Sequence, residues 1–267
     1  MNDHAVKDSD NKVTHRIEKI RIKEDHILLF LTDEKLLISE EAYFRYHPEK
    51  EKVLSEEQYQ LLKDEEKLLK AYRGCLRKIS RKDHTIYQIR QYLAENGLNG
   101  SEQEELLSKL QRYGLLDDEK YCISRIAALE KMNQSSRQIR HKLEQEGISD
   151  ELIGTHLQSD AREEYERARK QAEKLTVSAG KKSNKALKQK IFSRLLANGF
   201  SYETASDVLK ELKFDERQEQ EALQKEYLKI RKKYEKKYEG KELNNRIFVA
   251  LASKGFSIDR IRRIMEE

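Results

Sequence analysis

The sequence predicts a mainly α-helical fold: tandem three-helix repeats in an elongated curved array, preceded by a small N-terminal antiparallel sheet. Three observations predict it. The pattern Ile-x-x-x-Leu-x-x-x-Gly-apolar occurs four times, at Ile89/Leu93/Gly97/Leu98, Ile139/Leu143/Gly147/Ile148, Ile191/Leu195/Gly199/Phe200 and Ile247/Leu251/Gly255/Phe256. Its glycines stand 50, 52 and 56 residues apart, a period that implies helical modules stacked in one dimension. Finally, 39% of the 267 residues are charged and only one is Pro, which suits thin, uninterrupted helices with much exposed surface.

Each copy has a local physical reading. Ile and Leu four apart share a helix face. The Gly four residues further on falls where a helix end needs the left-handed conformation. Two residues beyond it stand Asn99, Ser149, Ser201 and Ser257, each suited to cap the next helix.

In chain order, residues 1–12 read as a disordered N-terminus and 13–54 as a β-rich extension. Ile17, Ile20 and Ile22, then HILLFL and LLI, predict two or three strands with turns at Lys23–Asp25 and Thr32–Lys35. A lone hairpin is marginal in water, so this sheet must pack on a following helix. Ser39 caps a short helix ending near Pro48.

Repeat 1 covers 55–117. Ser55-x-x-Gln58 opens a helix running toward Ile79, Thr85-x-x-Gln88 the next, and Ser101-x-x-Glu104 the third, closed by Gly114. Leu115-Leu116-Asp117-Asp118 is a joint, its aspartates placed for helix capping. Repeat 2 (118–159) has its own box at Ser135-x-x-Gln138. Repeat 3 (160–214) contains a Lys-, Ser- and Gly-rich loop near 176–184, read as mobile. Repeat 4 (215–267) closes the array.

Composition narrows function. No apolar run approaches the ~20 residues of a membrane span, and MNDHAVKDSDNK lacks the apolar segment of a secretion signal. Cys75 and Cys122 sit in helical patterns without zinc spacing. The expectation is a cytoplasmic protein without membrane partner. Phosphate-binding glycine loops, dinucleotide fingerprints and nucleophile elbows are absent, and the seven His are scattered. No enzyme activity, catalytic residue, metal, cofactor or small-molecule substrate is therefore expected.

Net charge is only +5, but from Arg167 to Arg194 ten basic residues face the single acid Glu173. Such asymmetry points to a polyanion or an acidic protein surface. Candidate contacts fall in three clusters: Arg77, Lys78, Arg81 and Lys82; Arg137, Arg140 and Lys142; and Lys181, Lys182, Lys185, Lys188, Lys190 and Arg194. Lys181, Lys185 and Lys188 share a helical face by spacing. A second basic run, Lys229 to Lys237, is interleaved with Glu226, Glu235 and Glu239, which predicts internal ion pairs there. Tyr87, Tyr92 and Tyr113 have the chemistry to stack on bases, although packing against a neighbouring helix is the commoner use of such rings.

The runs ISRKDHTIYQIRQYLAENG, YGLLDDEKYC and SSRQIRHKLEQEGIS resemble the RecX family of regulatory proteins, in its long Gram-positive form. The similarity is strongest over 68–158 and weaker over 160–267. The family's glycine-leucine-aspartate-aspartate joint before an aromatic residue matches Gly114, Leu115 or Leu116, Asp117, Asp118 and Tyr121. One position departs from the pattern: His84 stands where members often carry Arg before the Ser or Thr of the second helix. An unperturbed His is mostly neutral near pH 7, so a charged contact is lost there.

The resemblance implies a modulator, mostly an inhibitor, of the RecA recombinase in recombination, DNA repair and the SOS response. Such a protein lodges in the groove of the RecA–DNA filament and limits its growth, ATP hydrolysis and strand exchange. The implied partners are the RecA filament and single-stranded DNA, and the implied state is a monomer. The alternative is a DNA-binding protein of helix-turn-helix-like modules acting directly on single- or double-stranded DNA. No module presents a helix start rich in Arg, Asn and Gln together, as base readout prefers.

Overall fold

The structure, a computed structural model, describes residues 15–158, 160–177 and 182–266. The segment 1–12 and residues 178–181 of the predicted mobile loop lie outside the described residues. The chain divides after Tyr121 into two compact units.

The first unit opens with β1 (His15–Ile22), β2 (Ile27–Leu31) and β3 (Lys35–Ile38), then α1 (Glu40–Tyr46) and β4 (Val53–Leu54). They form one antiparallel sheet in the order β3-β2-β1-β4. Four strands stand where two or three were expected. The two-residue β4 pairs with His15 and Arg16 and is too short to show an alternation in sequence. Ile17, Leu29, Leu36 and Ile38 are fully buried on one face. They pack with Leu62 of α2 (Glu56–Ile79), which supplies the helical cover a small sheet needs. The Glu66 carboxylate of α2 accepts the Leu37 N–H at 2.8 Å and pairs with Lys70 at 2.9 Å, occupying a donor of the edge strand.

α2 continues into repeat 1 with α3 (Ile86–Glu95) and α4 (Gly100–Arg112). Ala71 and Cys75 of α2 share a core with Ile89, Leu93, Leu98, Leu106, Leu107 and Leu110. Burial pushes the Cys75 thiol up to about 11. Gly74 lets the Tyr92 ring lie against α2: a Cβ there would meet the Tyr92 hydroxyl at 2.0 Å. The capping boxes at Ser55 and Thr85 form as the sequence predicts. The third does not. Asn99, not Ser101, caps α4, boxed with Glu102. Leu98 follows the left-handed Gly97 and the chain enters the next helix at once, at the offset that Ser149 and Ser201 occupy in their repeats.

The second unit holds most of α5 (Asp118–Lys131), then α6 (Ser136–Gln145) and α7 (Asp150–His156), α8 (Ala161–Val177), α9 (Asn184–Ala197) and α10 (Tyr202–Glu211), and α11 (Glu216–Tyr234), α12 (Gly240–Ser253) and α13 (Ile258–Glu266). Every Ile, Leu and post-glycine apolar residue of the fourfold pattern is at most 5% exposed. Gly97, Gly147, Gly199 and Gly255 have φ of 77°, 82°, 83° and 83°. In each copy the residue after Gly returns its N–H to the Leu carbonyl, as Leu98 does to Leu93 at 3.2 Å and Ile148 to Leu143 at 3.0 Å. This is the six-to-one bond of a glycine-terminated helix. The middle helices α9 and α12 are 14 residues long against 10 in α3 and α6, one turn more.

Within this unit successive repeats are pinned at one kind of joint. The N-cap hydroxyl of Ser135 is fully buried; it accepts the Gln138 N–H and donates to the Asn198 carbonyl at 2.6 Å. Ser183 likewise accepts the Ala186 N–H and donates to the Lys254 carbonyl at 2.6 Å. Asn198 and Lys254 are the C-cap residues just before Gly199 and Gly255. A Cβ on Gly199 would lie 2.7 Å from Ser135 Oγ, and one on Gly255 2.9 Å from Ser183 Oγ. Beside Gly97 nothing lies within 4 Å.

Gly97→Ala and Gly199→Ala should therefore differ. The first meets only left-handed strain, about 1–2 kcal/mol. The second adds a clash at a packed joint, typically a further 1–3 kcal/mol. Urea unfolding of the two variants should show the larger loss for Gly199→Ala; equal losses would mean the joint yields to the added methyl.

Candidate nucleic-acid interface

The joints decide which charges are free. At the start of α6 the Ser136 N–H and hydroxyl both donate to Glu164 of α8, and Arg167 closes the cluster. Its guanidinium is 2.6 Å from Glu164, 3.3 Å from Glu130 and 3.8 Å from Glu163, and the residue is 6% exposed. At the start of α9 the Asn184 N–H and side-chain amide donate to Glu219 of α11, which also pairs with Arg260 at 2.9 Å. In the first unit the Ile86 N–H of α3 donates to Asp118 at 2.9 Å. One first-turn acid thus caps the middle helix of the preceding repeat in all three places. The two joint aspartates divide this work: Asp117 accepts the Lys120 N–H and caps its own helix, while Asp118 reaches α3. Burial raises the Asp118 pKa against the opposing effect of the Ile86 bond.

The ten-residue basic run is accordingly less free than its sequence suggests. Arg167 is buried among acids, and Arg169 pairs with Glu173 at 3.0 Å and Glu166 at 3.5 Å. Of the candidates, Arg77, Lys78, Arg81 and Lys82 cluster at the C-terminal end of α2 and the turn after it. All are exposed and none forms an ion pair among the described residues. Lys78 Nζ lies 4.7 Å from the centroid of the Tyr92 ring. Tyr92 therefore packs on Gly74 and Lys78, whereas Tyr87 and Tyr113 are 43% and 63% exposed. Burial lowers the pKa of His84, whose Nδ1 contacts the Lys82 carbonyl at 2.8 Å.

In the second cluster Arg137 and Arg140 line a groove with Leu196 and Gly199. Arg140 is 3.5 Å from Asp150, and Lys142 falls on the other side of the buried Ile139–Leu143 stripe by helical period. The third cluster splits in the same way. Lys185 and Lys188 flank one side of the buried Leu187–Ile191–Leu195 stripe of α9, and Lys190 and Arg194 flank the other. Lys188 Nζ lies 4.9 Å from the Phe214 ring centroid, and Lys182 lines a cleft with Phe214 and Asp215. Of the shared row expected of Lys181, Lys185 and Lys188, Lys181 lies outside the described residues.

The expectation of ion pairs within the second basic run fails. Glu226 turns inward to Lys254 at 2.8 Å. Lys229, Arg231, Lys232, Lys233, Lys236 and Lys237 are exposed and form no ion pair among the described residues. The sequence did show the acids; it did not show which way they turn.

His15, Asp33 and Glu34 bring potential metal-ligating atoms together, a convergence that no sequence spacing announced. His15 Nδ1 is 3.6 Å from Asp33, and its ring stacks on Tyr59. Glu34 is already held by the Lys63 ammonium and the Tyr59 hydroxyl, so a fixed cation stands beside that carboxylate.

A model of the third three-helix domain of RecX matches residues 162–209. A regulatory protein RecX of Lactococcus lactis subsp. cremoris (strain SK11) is 33% identical over 89% of this chain and 91% of its own. One of Streptococcus sanguinis is 32% identical over 94% and 99%. The chain belongs to the RecX family. A crystal structure of a regulatory protein RecX covers 74% of this chain and all of its own with a TM-score of 0.58 at 24% identity, a likeness of fold. Among the described residues of this RecX protein, no helix is long and apolar enough to cross a membrane.

The Asp118 bond can be tested apart from its charge. Asp118→Asn keeps an oxygen for the Ile86 N–H and removes the burial penalty, so stability near pH 7 should stay within about 0.5 kcal/mol. Asp118→Ala leaves the N–H without that acceptor and should cost about 1–2 kcal/mol. Equal losses in chemical denaturation would show that the carboxylate acts through its charge instead.

Proposed function

We propose that this RecX protein modulates, mostly by inhibition, the RecA recombinase, lodging in the groove of the RecA–DNA filament and limiting its growth, ATP hydrolysis and strand exchange. Family membership supplies the regulatory role. The observation that supports the filament reading is the recurrence, in successive repeats, of exposed cations that form no ion pair among the described residues: Arg77 to Lys82 in the first, Arg137 in the second, Lys182 to Arg194 in the third. A repeating polyanionic lattice is the partner that repeated cations would meet one module at a time. The role needs no catalytic group or cofactor from this chain, because RecA brings its own ATP hydrolysis. We further propose that it acts as a cytoplasmic monomer and meets single-stranded DNA directly or through the filament.

The test is RecA ATP hydrolysis on single-stranded DNA, titrated with this protein, with binding to the same DNA alone followed in parallel. Inhibition well below one molecule per recombinase, where naked DNA is barely bound, is the expected result. Inhibition that appears only as the DNA saturates would mean competition for the lattice and favour a plain DNA-binding protein. Replacing Lys182, Lys185, Lys188 and Lys190 by Gln should raise the half-inhibiting concentration by about tenfold or more, given several lost ionic contacts. Unchanged inhibition by this variant would remove the third cluster from the interface.

A further inference from the structure

The fourth repeat carries a charged face that the sites above leave unassigned. α11 buries Ala222, Leu223 and Ile230 on one side. At 100° per residue Lys225, Lys229, Lys232 and Lys236 fall within about 60° of one another, in a row that flanks this buried stripe. The helical bonding persists that far, since the Glu235 N–H bonds the Arg231 carbonyl at 2.9 Å and the Tyr238 N–H bonds Tyr234 at 3.0 Å. One lysine per turn, about 5.4 Å apart along the axis, forms the row. Lys225 is 3.6 Å from Glu221; the other three are exposed and unpaired among the described residues. Lys233 and Arg231 stand beside them over the Tyr234 and Tyr227 rings.

A helix C-terminus gains from a cation in its last turn, but that explains neither Lys229, which precedes the turn, nor the number. Like charges three and four residues apart oppose the helix, and the acids of α11 turned toward the core, Glu219 and Glu226, are held by Arg260 and Lys254. We propose that this face of α11 binds the phosphate backbone of a nucleic-acid strand without reading its sequence. Protein interfaces are depleted in Lys, whereas flexible ammonium groups at regular spacing suit phosphates. The inference deepens the filament reading above and rests on it for its setting: the fourth repeat would hold DNA while other faces meet the recombinase.

The experiment uses the full chain with Lys229→Gln/Lys232→Gln/Lys236→Gln and a charge-matched control, Lys19→Gln/Lys23→Gln/Arg112→Gln. Fluorescence anisotropy follows a labelled oligothymidylate and a duplex over a salt series, without recombinase, so the result stands whether or not ATPase inhibition is found. Circular dichroism verifies that both variants keep their helix content. The α11 variant should bind the oligothymidylate about tenfold more weakly at ~100 mM salt, with the log–log salt slope shallower by about 2, three contacts at ~0.7 each. The control should stay near the unsubstituted protein. Comparable weakening on the duplex supports the same phosphate contacts. Unchanged DNA binding by the α11 variant, or an equal loss in the control, overturns the proposal. So does loss of filament binding with DNA binding intact, which would assign the face to an acidic protein surface.

Discussion

A buried hydroxyl with two obligations holds the repeats of the second unit in register. Ser135 and Ser183 each accept the third amide of their own helix, from Gln138 and Ala186, and donate to the C-cap carbonyl of another. Helix ends leave such groups without intrahelical partners, and a buried orphan costs roughly 1–3 kcal/mol. By joining an N-terminus of one repeat to a C-terminus of the next, the serine satisfies both with one atom. The neighbouring acid, Glu164 or Glu219, takes a second amide and is itself neutralised by Arg167 or Arg260. A buried carboxylate with that many partners is tolerable where a lone one is not.

That geometry explains why the repeat pattern could be read before any coordinate was known. Gly199 and Gly255 each stop a helix and clear room for a neighbouring serine, so two constraints fall on one position. Ile, Leu and the apolar residue after Gly are bound by the helix-end geometry, and the serines by capping. These are local rules with sharp residue preferences. Where the preference was shared, the reading slipped. Asn99 and Ser101 both cap well with an acid three residues on, and only the tight Gly97–Leu98 turn decides between them. The strand β4 has two residues and no period. The extra turn in α9 and α12 leaves Ile, Leu and Gly in place and lengthens the helix at its start, where the pattern is silent.

The candidate site was legible as charge but not as surface. A run of lysines on a helix is divided by the buried stripe, and α9 sends Lys185 and Lys188 to one side and Lys190 and Arg194 to the other. Composition counts all of them together; a partner meets them separately. The same geometry turns Tyr92 from a base-stacking candidate into a ring wedged against Gly74 and Lys78. Long-range partners were out of reach for another reason. Arg167 meets Glu130 across 37 residues of chain, and nothing in the local sequence marks it as the one arginine of its run to be buried.

The joints and the free cations have a common cause. Each joint draws carboxylates inward: Glu164 and Glu219 into the caps, and Glu226 toward the C-cap residue Lys254 of α12. Arginines follow where a buried acid needs neutralising, but the lysines on the outer faces of α9 and α11 have no such call on them. A formal charge of +5 therefore understates how positive those faces are, since Glu164, Glu219 and Glu226 are drawn into the packing between helices. Low net charge and a strongly basic face are compatible when packing sorts the signs. In these repeats the sorting is done by the unmet amides at helix starts, which attract acids and leave the opposite charge to the surface.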